Sequence, residues 1–192
     1  MGRLHVITDT RPGRDPVAVA RAVLAAGAPV LQVRVADHTC DREAFDLTLL
    51  LAELCAEYGA TCLVNDRLHV GLAVGVHGGH VGARDLPVHA ARAVVGEAAI
   101  LGGTCRDPET ARALRRAGAG YLGVGPAYAT STKDGLPPPL GPHRIGRVAA
   151  SVDIPVIAIG GVTADRVGEL IAAGAHGVAV VGAVSNAADP YA

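Results

Sequence analysis

Four times along this chain a small-residue corner ends one stretch and opens another: Ala26-Gly27-Ala28, Tyr58-Gly59-Ala60, Gly118-Ala119-Gly120 and Ala173-Gly174-Ala175. Each follows an amphipathic stretch and precedes a short β-branched run. Glycine at a helix end takes the left-handed conformation that closes it, so each corner reads as a helix stop feeding a strand. Extended to the whole chain, this reading predicts strands at about 4–8, 29–34, 61–65, 78–82, 98–103, 120–125, 155–159 and 176–182. Helices are predicted near 15–26, 41–58, 67–74, 87–95, 107–117, 141–151 and 163–173. Eight strands each followed by a helix, at about 24 residues per unit over 192 residues, imply an α/β fold. The architecture expected is a compact (β/α)8 TIM barrel forming a single domain over 1–192. A doubly wound open sheet is the rival, but no G-x-G-x-x-G follows the first strand. Residues 185–192 are too few for a full eighth helix, so the last helix should be short or missing.

Composition narrows the function classes. Half of the residues are hydrophobic, enough for a buried core. The formal net charge is −1, with no tryptophan and one phenylalanine. Nucleic-acid binding would want a basic face or stacking aromatics, and neither is visible, so no nucleic-acid partner is expected. No apolar run reaches the roughly 18 residues that span a bilayer, so no membrane partner is expected either. The first residues lack a secretory apolar region, and Val6 stands where a myristoylation signal needs Ser or Thr. Cys40, Cys55, Cys62 and Cys105 show no C-x-x-C spacing, so free thiols in a reducing, cytoplasmic setting are expected.

A barrel of this kind places its chemistry at the carboxyl ends of the strands and in the loops after them. The loop Gly125 to Pro139 follows the apolar run Tyr121 to Val124 and combines a small-residue turn, Thr130-Ser131-Thr132 and Lys133. That is equipment for holding a phosphorylated ligand. Ile157-Ala158-Ile159-Gly160-Gly161 repeats the arrangement, with glycine N–H groups able to face an anion. Asp9, Gln32, Arg34, Asn65, Asp66, Asp85, Thr104 and Gly182 all meet the same strand-end test. Two phosphate-binding positions at one mouth point to small phosphorylated substrates.

Asp66 and Asp85 end successive units, so their side chains should lie side by side. Paired carboxylates near phosphates suit Mg2+, which takes one or two carboxylates plus substrate oxygens. Each aspartate alone also fits a helix cap, Asp85 preceding Leu86-Pro87. Gln32 and Arg34 alternate with Leu31 and Val33, so both should point into the barrel, where an arginine binds phosphate in a fork or forms an internal ion pair. Lys133 alone would read as a surface lysine; after three hydroxyls it reads as a phosphate ligand. His80, between Gly79 and Val81, fits a buried, satisfied histidine at least as well as an acid or ligand. No Ser, Cys or Thr sits in a nucleophile elbow, and the histidines and cysteines lack zinc spacing.

Four segments carry a resemblance. Val64-Asn65-Asp66-Arg67 looks like an N-D-R segment, and His80 to Pro87 like H-x-G-x-x-D-L-P. Gly125-Pro126 with Thr130 to Lys133 looks like G-P-x-x-x-T-x-T-K, and Ala158 to Gly161 like A-I-G-G. In this order the chain resembles the thiamine-phosphate synthase (thiamine-phosphate pyrophosphorylase) family, transferases of thiamine biosynthesis that join hydroxymethylpyrimidine diphosphate to a thiazole phosphate and release pyrophosphate. The resemblance implies that Asp66 and Asp85 hold Mg2+, while Gln32, Arg34, Asn65 and Lys133 bind the pyrimidine diphosphate. It further implies that Thr130 and Thr132 meet the thiazole phosphate, with backbone donors from Gly160, Gly161, Val181 and Gly182. Thr104 stands where the family has a serine near the diphosphate. Arg34, Lys133 and Thr104 are thereby the candidate catalytic groups.

The match departs in one place that bears on chemistry. The family's second-strand motif is Q-x-R-x-K, and Gln32-Val33-Arg34-Val35-Ala36 puts alanine where that lysine should be. A lost charged hydrogen bond is worth roughly 1.5–3 kcal/mol, so the change weakens diphosphate binding unless Arg84 or Arg106 compensates. Rival readings are a relative with an altered diphosphate or acceptor, a thiazole tautomerase, and a non-catalytic phosphate-ligand binder. The tautomerases would use a histidine in the sixth-strand loop, where this chain has Gly125-Pro126 and keeps Thr132-Lys133. A homo-oligomer is compatible with all four.

Overall fold

A computed structural model describes residues 1–130, 132 and 135–187. Strands and helices alternate through them: Leu4–Ile7 (β1), Pro16–Ala25 (α1), Val30–Val33 (β2), Asp41–Glu57 (α2), Thr61–Asn65 (β3) and Leu68–Val74 (α3). Gly78–Val81 (β4), Val88–Val95 (α4), Ile100–Cys105 (β5), Pro108–Arg116 (α5) and Tyr121–Val124 (β6) follow. Gly141–Ala149 (α6), Val156–Ile159 (β7), Ala164–Ala172 (α7), Gly177–Val180 (β8) and Gly182–Ser185 (α8) complete the order. Each strand pairs parallel with the next and β8 pairs with β1, closing the (β/α)8 TIM barrel. The last helix is a single turn.

Local chemistry sets the helix boundaries. Asp15 accepts from the Val17 and Ala18 amides with Pro16 at the first helical position, and Asp107 accepts from the Thr110 amide ahead of Pro108. Gly27, Gly59, Gly118 and Gly174, the four corner glycines, all have positive φ. A side chain there would be strained, which is why the corners carry glycine.

Alternation along the strands builds two separate cores. Ile7, Val30, Leu63, Tyr121, Ile157 and Ala179 fill the barrel interior. Their outward neighbours, such as Val6, Leu31, Val64, Leu122 and Val178, pack beneath the helices. This parity also decides which strand-end residues face the mouth.

Most boundaries fall within one or two residues of expectation, and the fifth strand is displaced at both ends. The fifth strand runs over Ile100–Cys105, two residues later than the predicted 98–103. The Ile100 amide bonds the His77 carbonyl at 2.9 Å, and Gly102 lies opposite Tyr121 across the ladder. Pairing of Thr104 with Gly123 and of Cys105 with Val124 on the neighbouring strand carries the ladder on, so Thr104 becomes part of the strand itself.

His5 lies in the interior, with Nε2 against the Gly2 carbonyl at 3.2 Å. Burial lowers its pKa from the ordinary value to about 4, offset in part by that carbonyl. The unfolded chain therefore takes up a proton that the fold refuses. Stability is full above about pH 6.5 and falls as pH drops toward 4, by about 2–3 kcal/mol. Melting followed across that window should show the loss, and His5→Gln should flatten it.

Candidate active site

The interior row continues past the strand ends to make one polar mouth. Gln32 is buried and its Nε2 donates to Asn65 Oδ1 at 3.4 Å, joining β2 to β3. Thr8 Oγ1 donates to the Arg34 carbonyl at 2.7 Å, and the Arg34 amide donates back to that hydroxyl at 2.8 Å. This tie holds the backbone where Arg34 leaves the strand. Arg34 is half-buried, and among the described residues its guanidinium forms no salt bridge. No described carboxylate makes the internal ion pair that its position allowed. A half-buried cation without a counter-charge favours an anion nearby.

Asp66 and Asp85 are fastened to one strand end. The Asp66 amide donates to the His80 carbonyl at 2.9 Å, continuing the pairing of Asn65 with His80. Two residues further along, the Gly82 amide donates to Asp85 Oδ2 at 2.6 Å. Neighbouring strands lie about 4.8 Å apart, so both residues are anchored at one corner of the mouth. Neither serves as a helix cap: α3 begins after Arg67 and α4 after Pro87, both without a side-chain capping bond. Asp66 has φ of 63°. A left-handed non-glycine residue costs about 1–3 kcal/mol, strain of the kind that clusters at functional sites. A Cβ at position 82 would lie 2.9 Å from Asp85 Oδ2, so glycine there lets the carboxylate settle over the backbone.

The long loop after β6 is stitched down at both roots. Amides of Ala127 and Tyr128 donate to the carbonyls of Ile159 and Gly160 at 2.7 and 2.9 Å, and Leu140 and Gly141 bond back to Pro126 and Ala127. The loop passes so close over β7 that a Cβ at Gly160 would meet Pro126 Cβ at 2.6 Å, and one at Gly161 would meet the Ala129 carbonyl at 2.5 Å. Thr130 and Thr132 hydroxyls sit 3.1 Å apart. A Cβ at Gly182 would lie 3.4 Å from Thr132 Oγ1, so the threonines reach the Val181-Gly182 end of β8. Two hydroxyls, a glycine pair and a strand-end backbone thus converge. Lys133 lies outside the described residues.

Arg106 does not fill the place of the missing lysine. Its Nε donates to the Gly125 carbonyl at 3.1 Å and its Nη2 to the Pro138 carbonyl at 2.5 Å, so the guanidinium clamps the loop. Arg84 is exposed. Two further features were not foreseen. Asp9, nearly buried, accepts from Arg11 Nε and Nη2 at 2.8 and 2.7 Å and from Ser185 Oγ at 3.0 Å. The Arg11 guanidinium holds the Asp9 carboxyl well below the usual range, at about 2. Arg14 adds a bond to the Ser185 carbonyl at 2.8 Å, bracketing α8 to β1. Inside the barrel, His80 Nε2 lies 2.8 Å from Thr104 Oγ1 and its Nδ1 lies 3.2 Å from the Tyr121 hydroxyl. The signal for this cluster was in the glycines: Gly102 and Gly123 leave the interior volume that the two rings fill.

A family model described as thiamine monophosphate synthase matches residues 4–184. A thiamine-phosphate synthase of Salinispora arenicola is 62% identical over 192 residues, covering 99% of this chain and 92% of that protein. Another, of Chlorobium limicola, is 40% identical over 97% of this chain and 88% of its own length. Among solved structures, a thiamine phosphate pyrophosphorylase from Pyrococcus furiosus superposes with a TM-score of 0.89 at 33% identity, covering 98% of this chain and 90% of that one.

Proposed function

The chain belongs to the thiamine monophosphate synthase family, and we propose that it couples hydroxymethylpyrimidine diphosphate to a thiazole phosphate, forming thiamine phosphate and pyrophosphate. The observation that carries the reading is the division of the mouth into two polar corners. Arg34, Asn65, Asp66 and Asp85 make one, and Thr130, Thr132, Gly160, Gly161 and Gly182 the other. One diphosphate and one monophosphate fill two such corners.

Asp66 and Asp85 are the candidate Mg2+ ligands. The Asp66 backbone is held by the His80 carbonyl and Asp85 Oδ2 by the Gly82 amide, so both residues stand at one strand end. Two carboxylates at one corner suit Mg2+, which draws its remaining ligands from water and substrate phosphates. Bound there, Mg2+ would offset charge on the diphosphate.

The residues of this chain then divide the work. Gln32 and Asn65, already bonded to each other, present amides to the pyrimidine diphosphate. Arg34, Thr104 and Lys133 meet the charge that grows on the departing diphosphate as the methylene carbon becomes cationic, where preorganised donors act most strongly. The thiazole nitrogen, placed by the phosphate held at Thr130, Thr132 and the glycine backbone, attacks that carbon. The nitrogen carries no proton to remove, so no general base is required. The 126–140 loop, clamped by Arg106, keeps water from the cation. No helix among the described residues is long and apolar enough to cross a membrane.

The test is direct. With both substrates and Mg2+, pyrophosphate and thiamine phosphate should form in equal amounts. Pyrophosphate without coupled product would instead assign a different acceptor. Tight thiazole phosphate binding with no turnover would replace the reading by a tautomerase or a binder.

A further inference from the structure

The interior cluster of Tyr121, His80 and Thr104 has no part in the steps above except through the threonine. Parity places all three inside the barrel: Gly79 and Gly103 face the helices, so His80 and Thr104 face inward, and Tyr121 is part of the interior core. Tyr121 is 2% exposed, and burial raises its phenol pKa well above the ordinary value, so it keeps its proton. Among the described residues its hydroxyl has one hydrogen-bond partner, His80 Nδ1 at 3.2 Å. A buried O–H that finds no acceptor is costly, so the tyrosine donates and Nδ1 accepts.

That assignment propagates. With Nδ1 accepting, the imidazole is neutral and carries its proton on Nε2. Nε2 lies 2.8 Å from Thr104 Oγ1, so it donates to the threonine oxygen. The Thr104 hydroxyl proton is thereby barred from His80 and must point elsewhere. Thr104 is half-buried on β5 opposite Gly123, one residue short of the strand end, and the mouth lies beyond it.

We infer that Tyr121 and His80 are positioning residues, a hydrogen-bond relay that turns the Thr104 hydroxyl outward as a donor to an anionic oxygen of the diphosphate. The inference rests on the diphosphate corner proposed above. It explains why two rings and two glycines occupy space that aliphatic side chains would fill at lower polar cost.

The relay can be judged without substrate. Nitrogen-15 spectra of imidazole-labelled protein should show His80 protonated at Nε2 and bare at Nδ1, and Tyr121→Phe, which keeps the ring, should abolish that preference. A proton on Nδ1 in the unaltered protein would overturn the inference. Kinetics supplies a second arm. Thr104→Val and His80→Ala should each lower kcat about 10- to 100-fold with KM for the thiazole phosphate unchanged. The double variant should be no worse than Thr104→Val alone, because His80 acts through that hydroxyl. His80→Gln, which restores a donor near Nε2, should recover most of the loss. Losses that multiply in the double variant would overturn the relay while leaving the synthase reading intact. If the unaltered protein makes no thiamine phosphate, the synthase reading fails by itself. The relay is then decided by the spectra and by pyrophosphate binding with Mg2+, which Thr104→Val and His80→Ala should weaken equally.

Discussion

Asp66→Ala is expected to lower kcat by about 10²–10³-fold, with the fold and the melting temperature kept. The carboxylate works where charge builds up on the departing diphosphate, so its loss is felt in the transition state more than in substrate binding. Its backbone, bonded through the amide to the His80 carbonyl, does not depend on the side chain. Asp85→Asn should behave similarly but more mildly, because the Gly82 amide still finds an oxygen at position 85. In both variants the Mg2+ concentration giving half-maximal rate should rise. Measuring rate against Mg2+ at saturating substrates checks this. An unchanged Mg2+ dependence in Asp66→Ala would remove that residue from the site. Ala36→Lys should gain far less than Asp66→Ala or Lys133→Ala costs, because it adds one charged contact worth roughly 1.5–3 kcal/mol at best.

The largest loss of stability is expected at Gly102. A Cβ there would stand 2.2 Å from Tyr121 Cζ and 2.5 Å from His80 Nδ1. Neither ring can yield easily. Tyr121 is buried between the His5 and His80 rings, with centroids 5.3 and 5.5 Å away. Overpacking of this kind costs about 1–3 kcal/mol and occasionally more. At about 2–4 °C per kcal/mol for a chain of this size, Gly102→Ala should melt about 5–10 °C lower. Gly120→Ala is the control, since a Cβ there meets only the Leu101 carbonyl at an ordinary 3.6 Å. Calorimetry of the pair should show the drop in one and little change in the other. Equal melting temperatures would mean that the interior is looser than its rings imply.

Much of the site was legible because strand ends in a barrel are legible. Once the period of corner glycine and β-branched run was read, Gln32 and Arg34 followed from alternation along the second strand, and Asn65 and Asp66 from their place at the end of the third. Thr130, Thr132, Gly160 and Gly161 were singled out by residue type, since hydroxyls and glycines near a strand end suit phosphate wherever they occur. Asp85 needed more. Its place before Leu86-Pro87 fitted a helix cap, but α4 begins after Pro87 without a side-chain capping bond, and the carboxylate accepts from the Gly82 amide instead. Arg34 allowed an internal ion pair until the fold showed the nearby aspartate, Asp9, committed to Arg11 and Ser185.

What the chain order by itself determined was the alternation of elements, the barrel and the end of it that carries chemistry. Those rest on turn chemistry and side-chain period, which act within a few residues. Tertiary structure alone decided where Arg106 points, how Asp9 brackets α8, and that Tyr121, His80 and Thr104 share one chain of hydrogen bonds. These contacts join residues 19 to 176 positions apart. They exist only because the eight strands close in one register, and no local propensity encodes a register.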